Sequence, residues 1–134
     1  MVGFLIVAHG DLAFSLLATA KMIVGNVPCA EAVAFNPAEG VEDLEEHIDA
    51  ALKKLDGSDW VLALTDLLGG SPANVLGKKV LLDKRIELLT GVNAPMLLEA
   101  VLSAEAVTRR ELLEKSLEAG REGIVNLRAI LEED

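Results

Sequence analysis

The chain has 134 residues, 51% of them hydrophobic, which suits one domain with a core of its own. Its net charge is -10, from 22 acidic and 12 basic residues, so nucleic acid and anionic membrane surfaces are poor partners. A lone cysteine, Cys29, excludes an internal disulfide and makes the cytoplasm the default compartment. No apolar run approaches the ~20 residues of a membrane span, and the opening MVGFLIVAHG lacks the basic segment of a signal peptide.

In chain order, VGFLIVA (Val2–Ala8) is a continuous apolar run, as expected of a strand buried on both faces. Asp11 is placed to cap a helix whose apolar stripe is Leu12, Leu16, Ala20, Ile23 and Val24, stopped by Gly25-Asn26. AEAVAF (Ala30–Phe35) is a weaker second strand, closed by Asn36-Pro37. Gly40 precedes an amphipathic helix with Val41, Leu44, Ile48, Leu52 and Leu55 on its apolar face, ended by Asp56-Gly57. WVLALT (Trp60–Thr65) is a third buried strand and DLLGG a loop. SPANVLGKKVLL then opens a helix, with Ser71 at the cap and Pro72 at the first helical position. RIELLT (Arg85–Thr90) is the fourth strand, and GVNAP turns into a helix over Met96–Leu102. A last helix starts near Thr108, and GIVNLRAI (Gly123–Ile130) is expected as a fifth strand.

This alternation predicts an α/β fold with a central, mainly parallel sheet and helices on both faces. The strand order is expected to be 2-1-3-4, with the C-terminal strand added antiparallel. In that order strands 1 and 3 are neighbours, and a crevice opens at their C-terminal ends where the chain changes sheet face.

His9 ends strand 1 and Asp66 follows strand 3, so both face the crevice. Gly69, Gly70 and Ser71 lie beside it at a helix N-terminus, where free N–H groups and the helix dipole favour a phosphate and glycine lets the backbone approach. A carboxylate that accepts a hydrogen bond from one imidazole nitrogen fixes the tautomer and leaves the other nitrogen's lone pair as a nucleophile. It also stabilises the positive charge that develops as that nitrogen attacks phosphorus, while the helix terminus stabilises the phosphoryl oxygens. The expected product is phosphohistidine. A histidine after a strand is by itself most often structural, and GGSP by itself is a common way to start a helix; the convergence of the two carries the reading.

The other polar and aromatic residues read as structural. His47 is expected to face solvent or pair with a nearby glutamate, Cys29 to pack as a small apolar residue, and Trp60 to anchor the sheet edge or a subunit contact. VEDLEEHID, with Arg109 and Arg110 further on, reads as solvated helix surface. Two histidines and one cysteine without ligand spacing give no metal site, and there is no Walker loop or G-x-G-x-x-G for a nucleotide.

IVAHG, TDLLGGSPAN, TGVNAPML and EAGREGI occur in this order along nearly the whole chain. In this they resemble the IIA component of the mannose-type family of the bacterial sugar phosphotransferase system. The resemblance implies a single cytoplasmic IIA domain over 1–134 in which His9 accepts a phosphoryl group at Nε2 from the phosphocarrier HPr. That group passes to a IIB component, which phosphorylates sugar entering through membrane IIC and IID components. Asp66 matches the aspartate bonded to Nδ1, and Ser71 matches a phosphate-contacting serine. No cofactor is implied, since the phosphoryl group rides covalently on His9. The resemblance also implies a homodimer with an exchanged C-terminal strand, and a IIB component on a separate chain. Two alternatives share the same histidine chemistry: the phosphotransfer subunit of a dihydroxyacetone-kinase-like system, and a regulatory phosphohistidine module. The sequence does not name the sugar.

Overall fold

The computed structural model describes residues 1–133. In chain order the elements are β1 (Val2–His9), α1 (Leu12–Val24), β2 (Ala30–Phe35), α2 (Val41–Lys54), β3 (Trp60–Thr65), α3 (Ser71–Leu82), β4 (Ile86–Thr90), α4 (Ala94–Ser103), α5 (Arg109–Glu122) and α6 (Leu127–Leu131). The four strands form one parallel sheet in the order β2-β1-β3-β4, as the alternation of apolar runs predicted.

Alternate residues of the inner strands point to opposite faces, so the sheet has two apolar layers. Phe4, Ile6 and Ala8 of β1 and Leu62 and Leu64 of β3 pack with Ala13, Leu17, Met96, Leu97 and Leu112, under α1, α4 and α5. Leu5 and Val7 of β1 and Val61 and Ala63 of β3 pack with Leu44, Ile48, Val75 and Leu76, under α2 and α3. This double burial is why β1 reads as unbroken apolar sequence. Each fully buried Leu or Ile contributes on the order of 1.5–3 kcal/mol relative to exposure.

Because α1 lies on one face and α2 on the other, the chain changes face between β1 and β3, and their C-terminal ends carry His9 and Asp66. Behind this crevice, α4 and α5 are tied at one point. The Asn93 side chain accepts from the Met96 N–H at 3.0 Å and donates to the Gly120 carbonyl at 2.9 Å. Close contact follows: a Cβ on Gly120 would lie 3.1 Å from Met96, and one on Gly123 would fall 2.7 Å from the Pro95 ring carbon Cβ.

Several expectations change. Gly123–Ile130 is not a strand: Ile124 and Val125 lie outside any regular element, and Leu127–Leu131 is helical. Within one chain the segment pairs with no strand. Local bonds favour a helical turn instead, with Asn126 accepting from the Ala129 N–H and Arg128 pairing with Glu132. Ile124, Val125, Leu127, Ile130 and Leu131 stay exposed. Helix α3 is capped by Gly70, one residue before the expected Ser71, and α4 begins at Ala94, two residues early, on the Asn93 cap.

Asp11 stands at the α1 N-cap without making the side-chain bond expected of it. Trp60 starts an inner strand, not a sheet edge, and lies half-buried beneath the Arg109 guanidinium, 5.1 Å from the ring centre. Arg109 also pairs with Glu87 at 3.4 Å, whereas Arg110 is exposed and pairs with Glu114. Cys29 is exposed, not packed; it turns at φ 54° and contributes its carbonyl, which accepts from the Phe4 N–H at 2.8 Å.

Candidate functional site

β1 and β3 run in parallel register to Val7 opposite Thr65, so the next residues along each strand bring His9 and Asp66 to the same end of the sheet. The His9 imidazole Nδ1 lies 2.9 Å from Asp66 Oδ2, and the His9 backbone N–H donates to the same oxygen at 3.0 Å. The other oxygen, Oδ1, accepts from the Leu67 N–H at 3.0 Å. The carboxylate is 10% exposed and the imidazole 44%.

Burial pushes the Asp66 carboxyl up, but hydrogen bonds from the His9 backbone N–H and imidazole, and the charge of the imidazole, outweigh it. The net effect holds Asp66 below its ordinary value of 3.8. An ionised carboxylate only accepts hydrogen bonds, so the nitrogen facing it carries the proton. The neutral ring therefore has its free lone pair on Nε2.

That free edge lies against the start of α3. A Cβ placed on Gly70 would come within 2.9 Å of His9 Cε1 and 3.7 Å of Nε2. Glycine here is a requirement of space, because any side chain would displace the ring. Gly69 turns the chain into the helix at φ 85°, a conformation that favours glycine. The Gly70 N–H is used within this turn, donating to the Leu67 carbonyl at 3.3 Å, and Asn74 braces it by donating to the Gly69 carbonyl at 3.3 Å. In the first turn of α3 the Asn74 N–H already bonds the Gly70 carbonyl and Pro72 has no N–H, so Ser71 and Ala73 carry the helix's free donors. Of the three expected phosphate contacts, Ser71 offers a donor and Gly69 and Gly70 shape the space.

Sequence reasoning missed a second wall. Phe35, at the end of β2, is in register with His9, and its ring meets the imidazole edge to face, with centres 5.9 Å apart at 64°. The Gly10 N–H donates to the Phe35 carbonyl at 2.9 Å. His9, Gly10, Phe35, Asn36 and Pro37 line a cavity of about 210 Å³. The signal was in the strand order: in 2-1-3-4, whatever ends strand 2 flanks the end of strand 1 as surely as Asp66 does. His47 lies in the second turn of α2 and pairs with Glu39 at 3.1 Å, as expected of it. Among the described residues no group of three His, Cys, Asp or Glu side chains is arranged to hold a metal ion. No helix among them is long and apolar enough to cross a membrane.

Residues 3–117 match a family model, EIIA-man, described as the PTS system fructose IIA component. The chain is 37% identical over 129 residues to the PTS system mannose-specific EIIAB component of Escherichia coli strain K12, which covers 96% of this chain and 40% of that protein. The chain thus spans about 40% of the length of the first curated relatives it matches. It is 34% identical over 113 residues to the PTS system fructose-specific EIIA component of Bacillus subtilis strain 168, covering 84% of this chain and 77% of the relative. A similar solved structure is the PTS IIA protein associated with the fucose utilization operon of Streptococcus pneumoniae. It is 29% identical, has a TM-score of 0.89, and covers 98% of this chain and 96% of that one. Component EIIA from Streptococcus agalactiae is 30% identical with a TM-score of 0.86, covering 96% of this chain and 99% of its own.

Proposed function

The chain belongs to the EIIA-man family of PTS IIA components, and on that premise we propose that it is a phosphoryl relay in sugar uptake, with His9 as the group that carries the phosphate. The observation that carries this reading is the Nδ1–Asp66 contact of 2.9 Å, which leaves Nε2 free beside the start of α3.

The chemistry follows from the geometry. The Nε2 lone pair attacks the phosphorus carried by phospho-HPr. A P–Nε2 bond forms as the bond to the donor breaks, and the bonding pair leaves with the donor. The imidazole gains positive charge, which the Asp66 carboxylate stabilises across the Nδ1–H hydrogen bond. In a loose phosphoryl-transfer transition state the equatorial oxygens carry the charge, and the N–H groups at the start of α3, with the Ser71 hydroxyl, are placed to meet it. The reverse sequence delivers the group to a IIB component. Leu67 and Leu68, 58% and 87% exposed beside Asp66, give both partner proteins an apolar docking rim.

The reading includes a homodimer. The exposed Ile124, Val125, Leu127, Ile130 and Leu131 support packing of the C-terminal segment on a second copy, where it would exchange its helical turn for an antiparallel strand on the partner's sheet. Sedimentation of the chain, intact and cut after Gly123, tests this: a monomer in both cases removes the dimer.

The relay is tested by intact mass after incubation with phosphoenolpyruvate, enzyme I and HPr. Wild type gains one acid-labile phosphoryl group and His9→Ala gains none. Labelling of the variant moves the site elsewhere, and labelling of neither withdraws the relay.

A further inference from the structure

Asp66 and Gly70 make one wall of the His9 site. The opposite wall, Phe35 to Pro37, belongs to no helix or strand beyond Phe35, yet it touches the imidazole and has to be held by something. Phe35 itself is held by its pairing with β1 and by the Gly10 N–H, and the bonds that hold the turn beyond it converge on one carboxylate. Glu39 Oε1 accepts from the Asn36 N–H at 2.9 Å, and the Glu39 N–H donates back to the Asn36 carbonyl at 3.0 Å, closing the turn reciprocally. Glu39 Oε2 lies 3.1 Å from Nδ1 of His47, in the second turn of α2. The Glu39 side chain is 18% exposed, so it is largely withdrawn from solvent and both oxygens have protein partners. His47, Glu39, Asn36, Phe35 and His9 thus form a continuous series of contacts from α2 to the site.

We propose that Glu39 and His47 are positioning residues for His9: they pin the β2–α2 turn to α2, and the pinned turn sets the Phe35–Pro37 wall that confines the imidazole. The inference rests on the reading of His9 as the phosphoryl acceptor. Its physical content is rotational. Asp66 holds only the Nδ1 edge of the ring, and a ring hinged at one edge needs a second surface to keep Nε2 aimed at the start of α3. Phe35 supplies that surface at van der Waals range, and small misplacement of a nucleophile is enough to lose one or two orders of magnitude in rate.

The test compares wild type with Glu39→Ala, Glu39→Gln and His47→Ala, with Glu46→Ala as a charge-matched control on the exposed side of α2. Two readouts are taken on the full chain: the initial rate of phosphorylation by phospho-HPr, and the imidazole nitrogen signals of His9 in long-range proton–nitrogen NMR spectra. Glu39→Ala is expected to slow phosphorylation about tenfold and to shift the His9 signals toward tautomer averaging. Glu39→Gln keeps an oxygen for Asn36 and an amide for His47, and restores the rate to within about twofold. His47→Ala, which alters a side chain 55% exposed, keeps the fold and shows a smaller loss in the same direction, so the inference stays decidable if Glu39→Ala does not fold. Wild-type rates with unchanged His9 signals in Glu39→Ala and His47→Ala overturn the inference. So does a Glu39→Gln variant as slow as Glu39→Ala, since that makes the charge, not the turn, responsible. If wild type takes no phosphoryl group from phospho-HPr, the relay fails, while the His9 signals still decide the positioning.

Discussion

Asp66 grips His9 twice through one atom: Oδ2 accepts from the His9 backbone N–H at 3.0 Å and lies 2.9 Å from its imidazole Nδ1. The first bond ties the end of β1 to the end of β3, and the second orients the ring. Structural and chemical roles therefore rest on the same carboxylate, and they separate only by substitution and pH.

The pH dependence has a definite sign. The Asp66 carboxyl is held below its ordinary value of 3.8 in the folded chain, so folding favours its ionised form. The stability it contributes is complete above the unfolded value and is lost as pH falls through the lower folded value. Asp66→Asn removes this linkage. Urea unfolding of wild type and variant between pH 3 and 7 is expected to give a stability difference that is constant near neutrality and narrows below about pH 4. A difference that stays flat to pH 3 would show that the carboxylate is not stabilised by its contacts with His9. In the same variant, phosphorylation at pH 7 is expected to fall by about tenfold to a hundredfold, because a neutral amide does not stabilise the imidazolium.

Gly70 separates space from stability. Its backbone, at φ -78° and ψ 163°, is open to any residue, so Gly70→Ala introduces no backbone strain. The added methyl group, however, reaches 2.9 Å from His9 Cε1 and has to move the ring. Replacing glycine at an N-cap by alanine costs about 1 kcal/mol or less. The expected result is a thermal midpoint close to wild type with phosphorylation reduced at least about tenfold. A Gly70→Ala chain that is phosphorylated normally would mean that the ring does not work in the position described.

Asn93 makes the opposite prediction. It caps α4 and bonds the Gly120 carbonyl of α5, and neither bond involves His9 or Asp66. Asn93→Ala removes a cap and leaves a part-buried carbonyl unpaired, which together destabilise by about 1–3 kcal/mol. Denaturant titration is expected to show that loss, while the folded variant accepts phosphate at the wild-type rate. Loss of phosphorylation at full stability would place Asn93 in the site instead.

These contrasts show what sequence could and could not carry. Strand 3 was legible to the residue because a strand buried on both faces must be apolar throughout. Strand 2, a half-buried edge, was legible from its short run closed by Asn36-Pro37, and the 2-1-3-4 order then brought His9, Asp66 and the GGS turn together. TGVNAPML and EAGREGI stood out as family motifs, but their part in the fold becomes plain only when Asn93 meets Gly120 and Gly123 lies against Pro95. Phe35 was legible only through the strand order, as the residue that ends the strand beside β1, and Glu39 was not legible at all: a loop residue acts through contacts that no periodicity records. The C-terminal segment misled because Ile124 and Val125 favour a strand only where a strand is available to pair.

Leu67 and Leu68 offer the sharpest separation of docking from chemistry. Both side chains project beside Asp66, 58% and 87% exposed, and neither belongs to the two apolar layers. Surface substitutions of this kind change stability by only about 0.5 kcal/mol, so Leu67→Ser/Leu68→Ser folds as wild type. If these side chains form the rim on which phospho-HPr docks, the double variant raises the apparent KM for phospho-HPr several-fold and leaves kcat nearly unchanged. Direct phosphorylation by a small phosphoramidate, which needs Nε2 but no docking surface, proceeds at the wild-type rate. Equal losses with both donors would instead place the two leucines in control of His9 itself, through the Leu67 N–H that holds Asp66 Oδ1 at 3.0 Å.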